Sequence, residues 1–147
     1  MDIYEARLSD LPALVALAES FHAEAGGSYP FRIDRVRSFL AQAIASPDFL
    51  AVVAGEAACG FLIARAGTNY LTGERMAEEV AMYVHPDQRS AGLAWSFIKR
   101  FEAWAVTTAG CTVVKLTAQH SARPEAVARL YRRSGYAAAE TAFIKRL

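Results

Sequence analysis

The sequence predicts an α/β (α+β) domain: a mixed, mostly antiparallel sheet of about seven strands with helices on both faces. Three observations lead there. Segments of strand and helix periodicity follow one another in the order β-α-α-β-β-β-α-β-α-β-β. A long amphipathic helix joins the fourth and fifth strands, which implies one parallel pair inside an otherwise antiparallel sheet. The chain has 147 residues, 54% hydrophobic and 21% charged, with no repeat or linker, so residues 1–147 are expected to form one domain.

Ile3 to Arg7 reads as a short opening strand. Ser9 or Asp10 can cap the helix that follows, with Pro12 tolerated in its first turn. Leu11, Leu14, Val15, Ala18 and Phe21 recur at helical spacing and give that helix one buried face. Gly26, Gly27 and Ser28 predict a loop, and a second helix runs from about Asp34 to a stop at Pro47. The apolar runs Phe49 to Ala54 and Ala57 to Arg65 are separated by Gly55-Glu56, which predicts a tight two-residue hairpin. After a polar loop, Glu78 to Val84 is the fourth strand. A helix over about Gly92 to Ala109 carries the stripe Leu93, Phe97, Ile98, Phe101, Trp104 and Ala105. Thr112 to Thr117 is β-branched and reads as a strand. A last helix covers about Arg123 to Ser134, with Gly135 at its end. Two short strands, near Tyr136 to Ala138 and Ala142 to Arg146, are expected to close the sheet.

Composition excludes several classes of function. With 16 basic and 15 acidic residues the net charge is +1, too little for a protein that relies on neutralising nucleic-acid phosphates. No apolar run approaches the ~20 residues of a membrane span. Met1-Asp2-Ile3-Tyr4-Glu5 lacks the basic start and apolar middle of a signal peptide, so a cytoplasmic location is expected. Cys59 and Cys111 lie in apolar strand-like runs and read as buried reduced thiols. His22, His85 and His120 are too far apart to suggest a metal site.

The most informative stretch is Val84-His85-Pro86-Asp87-Gln88-Arg89-Ser90-Ala91-Gly92-Leu93-Ala94, where a strand ends and a long helix begins. The first N–H groups of a helix have no internal partners, and the macrodipole adds partial positive charge beside them. Gly92 and Ala94 keep side chains small where a ligand would approach the backbone, and Arg89 can add charge. This is the physics of a diphosphate cradle. A second motif, Leu130-Tyr131-Arg132-Arg133-Ser134-Gly135-Tyr136, lies ~40 residues on, with a strand between the two.

In these motifs the sequence resembles the GNAT superfamily of N-acetyltransferases. The resemblance covers nearly the whole chain: Ile3 to Leu17 with Asp10, Gly60-Phe61-Leu62, the Arg-x-x-Gly-x-Ala motif, and the Tyr-x-x-x-Gly-Tyr signature. It implies acetyl-CoA as co-substrate, with its diphosphate on Arg89, Ser90, Ala91, Gly92, Leu93 and Ala94. It also implies a pantetheine arm laid along Met82, Tyr83 and Val84, between splayed fourth and fifth strands. No metal is implied, and a homodimer is compatible with the family. Two positions depart from the family pattern. Ser90-Ala91 replace basic or glycine residues, and Pro124 stands where an asparagine often contacts the cofactor.

Acetyl transfer to an amine needs a base for the amine proton, a donor for the carbonyl oxygen and an acid for the departing thiolate. The resemblance makes Tyr131 the general acid. Glu78 and Glu79, at the start of the fourth strand where some members of the family carry a catalytic glutamate, are the candidate bases, either one acting through water. Strand alternation groups Glu78 with Val80, Met82 and Val84, and Glu79 with Ala81 and Tyr83. A bulge in that strand would change the grouping, so the choice stays open, with spacing favouring Glu78 slightly and His120 as fallback. Tyr29 and Phe31 are candidates for an apolar wall at the acceptor site. The sequence reading is thus an acetyl-CoA-dependent N-acetyltransferase acting on a primary amine by direct attack in a ternary complex. The alternative is a non-catalytic CoA-binding or regulatory module on the same fold.

Overall fold

A computed structural model describes residues 1–27, 29–119 and 123–147. Ser28 of the predicted loop and His120 lie outside the described residues. The elements are β1 (Ile3–Glu5), α1 (Leu11–Ala25), α2 (Ile33–Ala45), β2 (Phe49–Ala54), β3 (Gly60–Thr68), β4 (Arg75–Val84), α3 (Ala91–Thr107), β5 (Val113–Lys115) and α4 (Pro124–Arg133). The sheet order is β1-β2-β3-β4-β5. The first three pairings are antiparallel and β4–β5 is parallel, as the α3 crossover requires.

Two apolar layers hold the sheet. Leu50, Val52, Leu62, Ala64 and Ala77 face α3, whose Leu93, Phe97, Phe101 and Trp104 cover them. The alternate residues Ala51, Val53, Phe61, Ile63 and Tyr83 face Leu14, Val15 and Leu17 of α1 and Leu40 and Ala43 of α2. The period-two alternation of β2 and β3 and the helical stripe of α3 are therefore two sides of one packing arrangement.

The N-terminus of α3 is fixed by Ser90, whose Oγ accepts the Leu93 N–H at 3.1 Å. Ser90→Ala removes that cap and should lower stability by about 1 kcal/mol, read as a lower midpoint in urea unfolding with an unchanged slope.

Three expectations need correction. The sheet has five strands among the described residues, not seven: neither Tyr136 to Ala138 nor Ala142 to Arg146 is a strand. A hairpin between them would turn through Ala139-Glu140-Thr141, and none of these residues readily adopts the positive φ of a tight turn. Second, the β2–β3 connection is longer than two residues, because Ala54 pairs with Gly60. Gly55 (φ 76°) and Ala58 (φ 51°) take left-handed conformations there. Strand pairing resumes at Gly60, where a Cβ would lie 2.9 Å from the Tyr83 carbonyl oxygen, so only glycine fits against β4. Third, Asp10 stands just before α1 but does not cap it. Its carboxylate accepts the Arg7 N–H at 2.8 Å and closes the 3₁₀ turn Leu8–Asp10.

Candidate active site

The sheet splits where β4 and β5 part. Their last paired residues are Glu78 and Lys115. Just beyond, a cavity of about 420 Å³ opens, walled by Glu79, Met82, Tyr83 and Val84 of β4, Thr117 after β5, and Val127, Leu130 and Tyr131 of α4. Arg89, Ser90, Ala91 and Ala94 line its other end, and Phe21 and Glu24 of α1 close one side.

A bulge decides which glutamate enters. Ile63 pairs with Ala81, but Ala64 pairs with Glu79, so Val80 stands unopposed in β4. Without the extra residue, Glu79 would share a side with Ala81 and Tyr83. With it, Glu79 lies across from Ala64 on the side of Met82 and Val84. Glu78 is turned the other way and pairs with Arg65 at 2.7 Å. The slight preference for Glu78 is thus not supported by geometry: among the described residues lining the cavity, the strand-start glutamate is Glu79.

Glu79 is half-buried in the fork. Its Oε2 accepts the Thr117 N–H at 3.0 Å. Burial pushes its carboxyl from the ordinary 4.5 up to about 7, against the pull of the Thr117 and Met82 N–H groups. Tyr131 is buried, and its hydroxyl donates to the Thr117 carbonyl at 2.9 Å. Burial raises its phenol far above the usual value, and the nearby Glu79 and Tyr136 add to the effect. One residue, Thr117, therefore holds the two ionisable groups by its two backbone atoms. Sequence reading missed Thr117 because it acts through its main chain, for which side-chain identity gives no signal. Its position two residues past the end of the parallel pairing was the available clue.

The remaining candidates divide. Met82, Tyr83, Val84, Arg89, Ser90, Ala91 and Ala94 line the cavity. Gly92 is exposed, and a Cβ there would meet only Ser90 Oγ at 4.0 Å, so the space beside it is open. Leu93 buries its side chain in the α3 layer and gives its N–H to Ser90. Ala94 N–H reaches the Ser90 carbonyl at 3.3 Å. The N–H groups of Ala91 and Gly92, which come before the first donor that bonds within the helix, are those left for a ligand. Arg89 is already engaged: its guanidinium contacts both carboxylate oxygens of Glu24, at 2.7 and 2.5 Å, and its Nε donates to the Val84 carbonyl at 2.9 Å. Tyr29 and Phe31 do not wall the cavity. Tyr29 is 57% exposed, its carbonyl accepting a hydrogen bond from His22 Nε2, while Phe31 packs on the His22 ring. Pro124 opens α4, where its missing N–H costs nothing, and lines a separate shallow depression with Arg129 and Arg132. Neither cysteine lines the cavity. Burial pushes the Cys111 thiol up, with Arg75 pulling the other way. Among the described residues, no cluster of His, Cys, Asp and Glu is arranged to hold a metal, and no helix is long and apolar enough to cross a membrane.

The chain with this split sheet, a helix N-terminus at one end and the Glu79–Tyr131 pair in its fork, also matches a known family in sequence. A family model described as acetyltransferase (GNAT) family matches residues 11–138. The chain belongs to that family. It is an acetyltransferase by membership, and its fold agrees with those of solved acetyltransferases. A ribosomal-protein-alanine N-acetyltransferase from Brucella melitensis biovar Abortus 2308 aligns at TM-score 0.73 and 22% identity, over 100% of both chains. An aminoglycoside antibiotic 6′-N-acetyltransferase from Acinetobacter haemolyticus aligns at TM-score 0.76 and 21% identity, over 100% of this chain and 99% of that one. A predicted acetyltransferase from Clostridium acetobutylicum, solved with acetyl-CoA, aligns at TM-score 0.77 and 18% identity, over 99% of this chain and 95% of that one. At these identities the likeness is one of fold. No curated protein matches the sequence.

Proposed function

We propose that this GNAT enzyme transfers an acetyl group from acetyl-CoA to a primary amine by direct attack in a ternary complex. Glu79 is the base and Tyr131 the acid. The observation that carries this reading is the hold of Thr117 on both groups at the fork between β4 and β5. A carboxyl near 7 is half ionised at neutral pH, suited to taking a proton from an incoming amine directly or through water. A phenol with a raised pKa keeps its proton and can hand it to a departing thiolate.

The residues present fit acetyl-CoA. Ala91 and Gly92 offer backbone N–H groups at a helix start, the space over Gly92 is open, and the cavity runs from there to Glu79. The coenzyme supplies an activated acyl group on a thiol leaving group, and the protein supplies position and proton transfer. Two solved acetyltransferases with this fold are named for different acceptors, an aminoglycoside and a ribosomal-protein alanine, so the fold does not choose the amine. Glu24 is neutralised by Arg89, so it is Glu79 in the cavity wall that favours a cationic one.

Gly92→Ala tests the cradle. The methyl has room in the free protein, and alanine suits a helix better than glycine, so the melting temperature should hold or rise slightly. Coenzyme affinity, read from the CoA-induced thermal shift, should fall about ten-fold or more. An unchanged shift would move the coenzyme elsewhere. Turnover of acetyl-CoA with a panel of amines separates an enzyme from a binding module: saturable binding with no turnover on any amine would favour the module.

A further inference from the structure

The charged side chains lining the cavity, among the described residues, are Glu24, Glu79, Arg89 and Arg123. Glu79 has its part in proton transfer, and Arg123 stands just before α4. Glu24 has no such part, yet it comes from the last turn of α1 to set a carboxylate in the cavity wall, where it meets Arg89. What surrounds that guanidinium is a cation site in all its parts. Both Glu24 oxygens accept from Nη2, at 2.7 and 2.5 Å, and the Val84 carbonyl accepts from Nε at 2.9 Å. The Tyr83 ring lies beneath, its centroid 5.6 Å from Cζ, and Phe21 stacks on that ring at 5.4 Å. Carboxylate, carbonyl and aromatic face each attract positive charge.

The occupant is held loosely enough to leave. The side chains of Arg89 and Glu24 are 29% and 32% exposed, so water screens their attraction and a ligand can reach them. Arg89 also directly precedes Ser90 and the N–H groups of Ala91 and Gly92. A diphosphate on those N–H groups carries more negative charge than one carboxylate, and a guanidinium binds phosphate oxygens in the same forked geometry. Its departure would strand Glu24 as an unpartnered carboxylate in a walled cavity, which is costly unless another cation arrives. The reacting nitrogen cannot fill that role, because it loses its charge before it attacks.

We propose that Arg89 is a placeholder: the coenzyme's diphosphate draws it off Glu24, and a second, non-reacting ammonium of the acceptor takes its place against Glu24 and Tyr83. The substrate class is thus an amine with a second positive charge, a diamine in its simplest form. The inference rests on the acetyl-CoA reading above and adds to it a source of selectivity.

Two measurements on the full chain test it. Calorimetric titration of coenzyme A into wild type and Glu24→Gln reads the first exchange. With the rival carboxylate removed, Arg89 is free for the diphosphate, and the variant should bind coenzyme A about five-fold more tightly. Equal or weaker binding by the variant would make Glu24 a bystander or a support for Arg89 and overturn the placeholder alone. Coenzyme A that bound neither protein would sink the acetyl-CoA reading itself, and the placeholder with it. Initial rates at saturating acetyl-CoA read the second exchange. Across diamines from ethylenediamine to hexamethylenediamine and monoamines of equal length, wild type should prefer at least one diamine by about ten-fold in kcat/KM. Glu24→Gln should erase that preference by raising the KM for the diamine, and Glu24→Asp should restore part of it. A wild type that prefers no diamine, turnover of neither series included, or a Glu24→Gln variant that keeps the preference, would overturn the second exchange and the substrate class with it.

Discussion

Glu79→Gln lowers kcat/KM by about 10²- to 10³-fold and abolishes the rise of activity through pH 7. The wild-type carboxyl, pushed up to about 7 by burial, is a base only when ionised, so activity climbs as pH passes through that value. Glutamine keeps an oxygen for the Thr117 N–H but takes no proton, and its profile is flat there. Glu78→Gln is the control. Glu78 faces away and pairs with Arg65 at the surface, so its loss should change kcat/KM by less than about two-fold. If the two variants behaved alike, or Glu79→Gln kept the limb near 7, another group would be the base.

The same variant should be more stable than wild type, but only at higher pH. Below 4.5 the carboxyl is protonated in both folded and unfolded chains, and glutamine gains nothing. Between 4.5 and about 7 the unfolded chain loses its proton first, so the wild type loses stability progressively as pH rises. Above 7 the folded protein holds a partly desolvated carboxylate at a cost of about 3 kcal/mol, which the amide avoids. Urea unfolding of both proteins at pH 4 and pH 8 checks this: curves that nearly coincide at pH 4 and separate at pH 8. A stability gain of this kind on removing a charge is the mark of a group held for chemistry.

Much of the architecture could be read from apolar spacing. Alternation in β2 and β3 and the Leu93–Trp104 stripe of α3 are packing patterns, and packing is what spacing reports. The site was less legible. Period-two counting put Glu79 on the wrong side because Val80 is an inserted residue, visible only in the pairing of β3 with β4. The grip of Glu24 on Arg89 spans 65 positions and leaves no local trace. Phe143 and Ile144 have strand composition, but composition gives a preference and not a partner. What was missing was a turn, and the absence of turn residues in Ala139-Glu140-Thr141 was in the sequence all along.

Tyr131→Phe should reduce kcat by about 10²-fold while coenzyme binding persists. Phenylalanine keeps the ring in place beside Tyr136, at a centroid distance of 6.1 Å. It gives up one hydrogen bond to the Thr117 carbonyl, at about 1 kcal/mol of stability. A loss of packing alone would therefore leave kcat nearly intact. The proton is what disappears. Burial and the neighbouring Glu79 hold the phenol protonated throughout any practical assay, so Tyr131 adds no limb of its own to the pH profile. Its role shows instead in the leaving group. A thiol of ordinary pKa, near ~8.5, benefits from protonation as it departs, whereas a strongly acidic aryl thiol leaves readily as the anion. The ratio of wild-type to variant kcat should thus be largest with acetyl-CoA and shrink toward one across acetyl thioesters of increasingly acidic thiols. A ratio independent of the thiol would assign Tyr131 to holding Thr117 and the fork in shape, with the proton reaching sulfur from solvent.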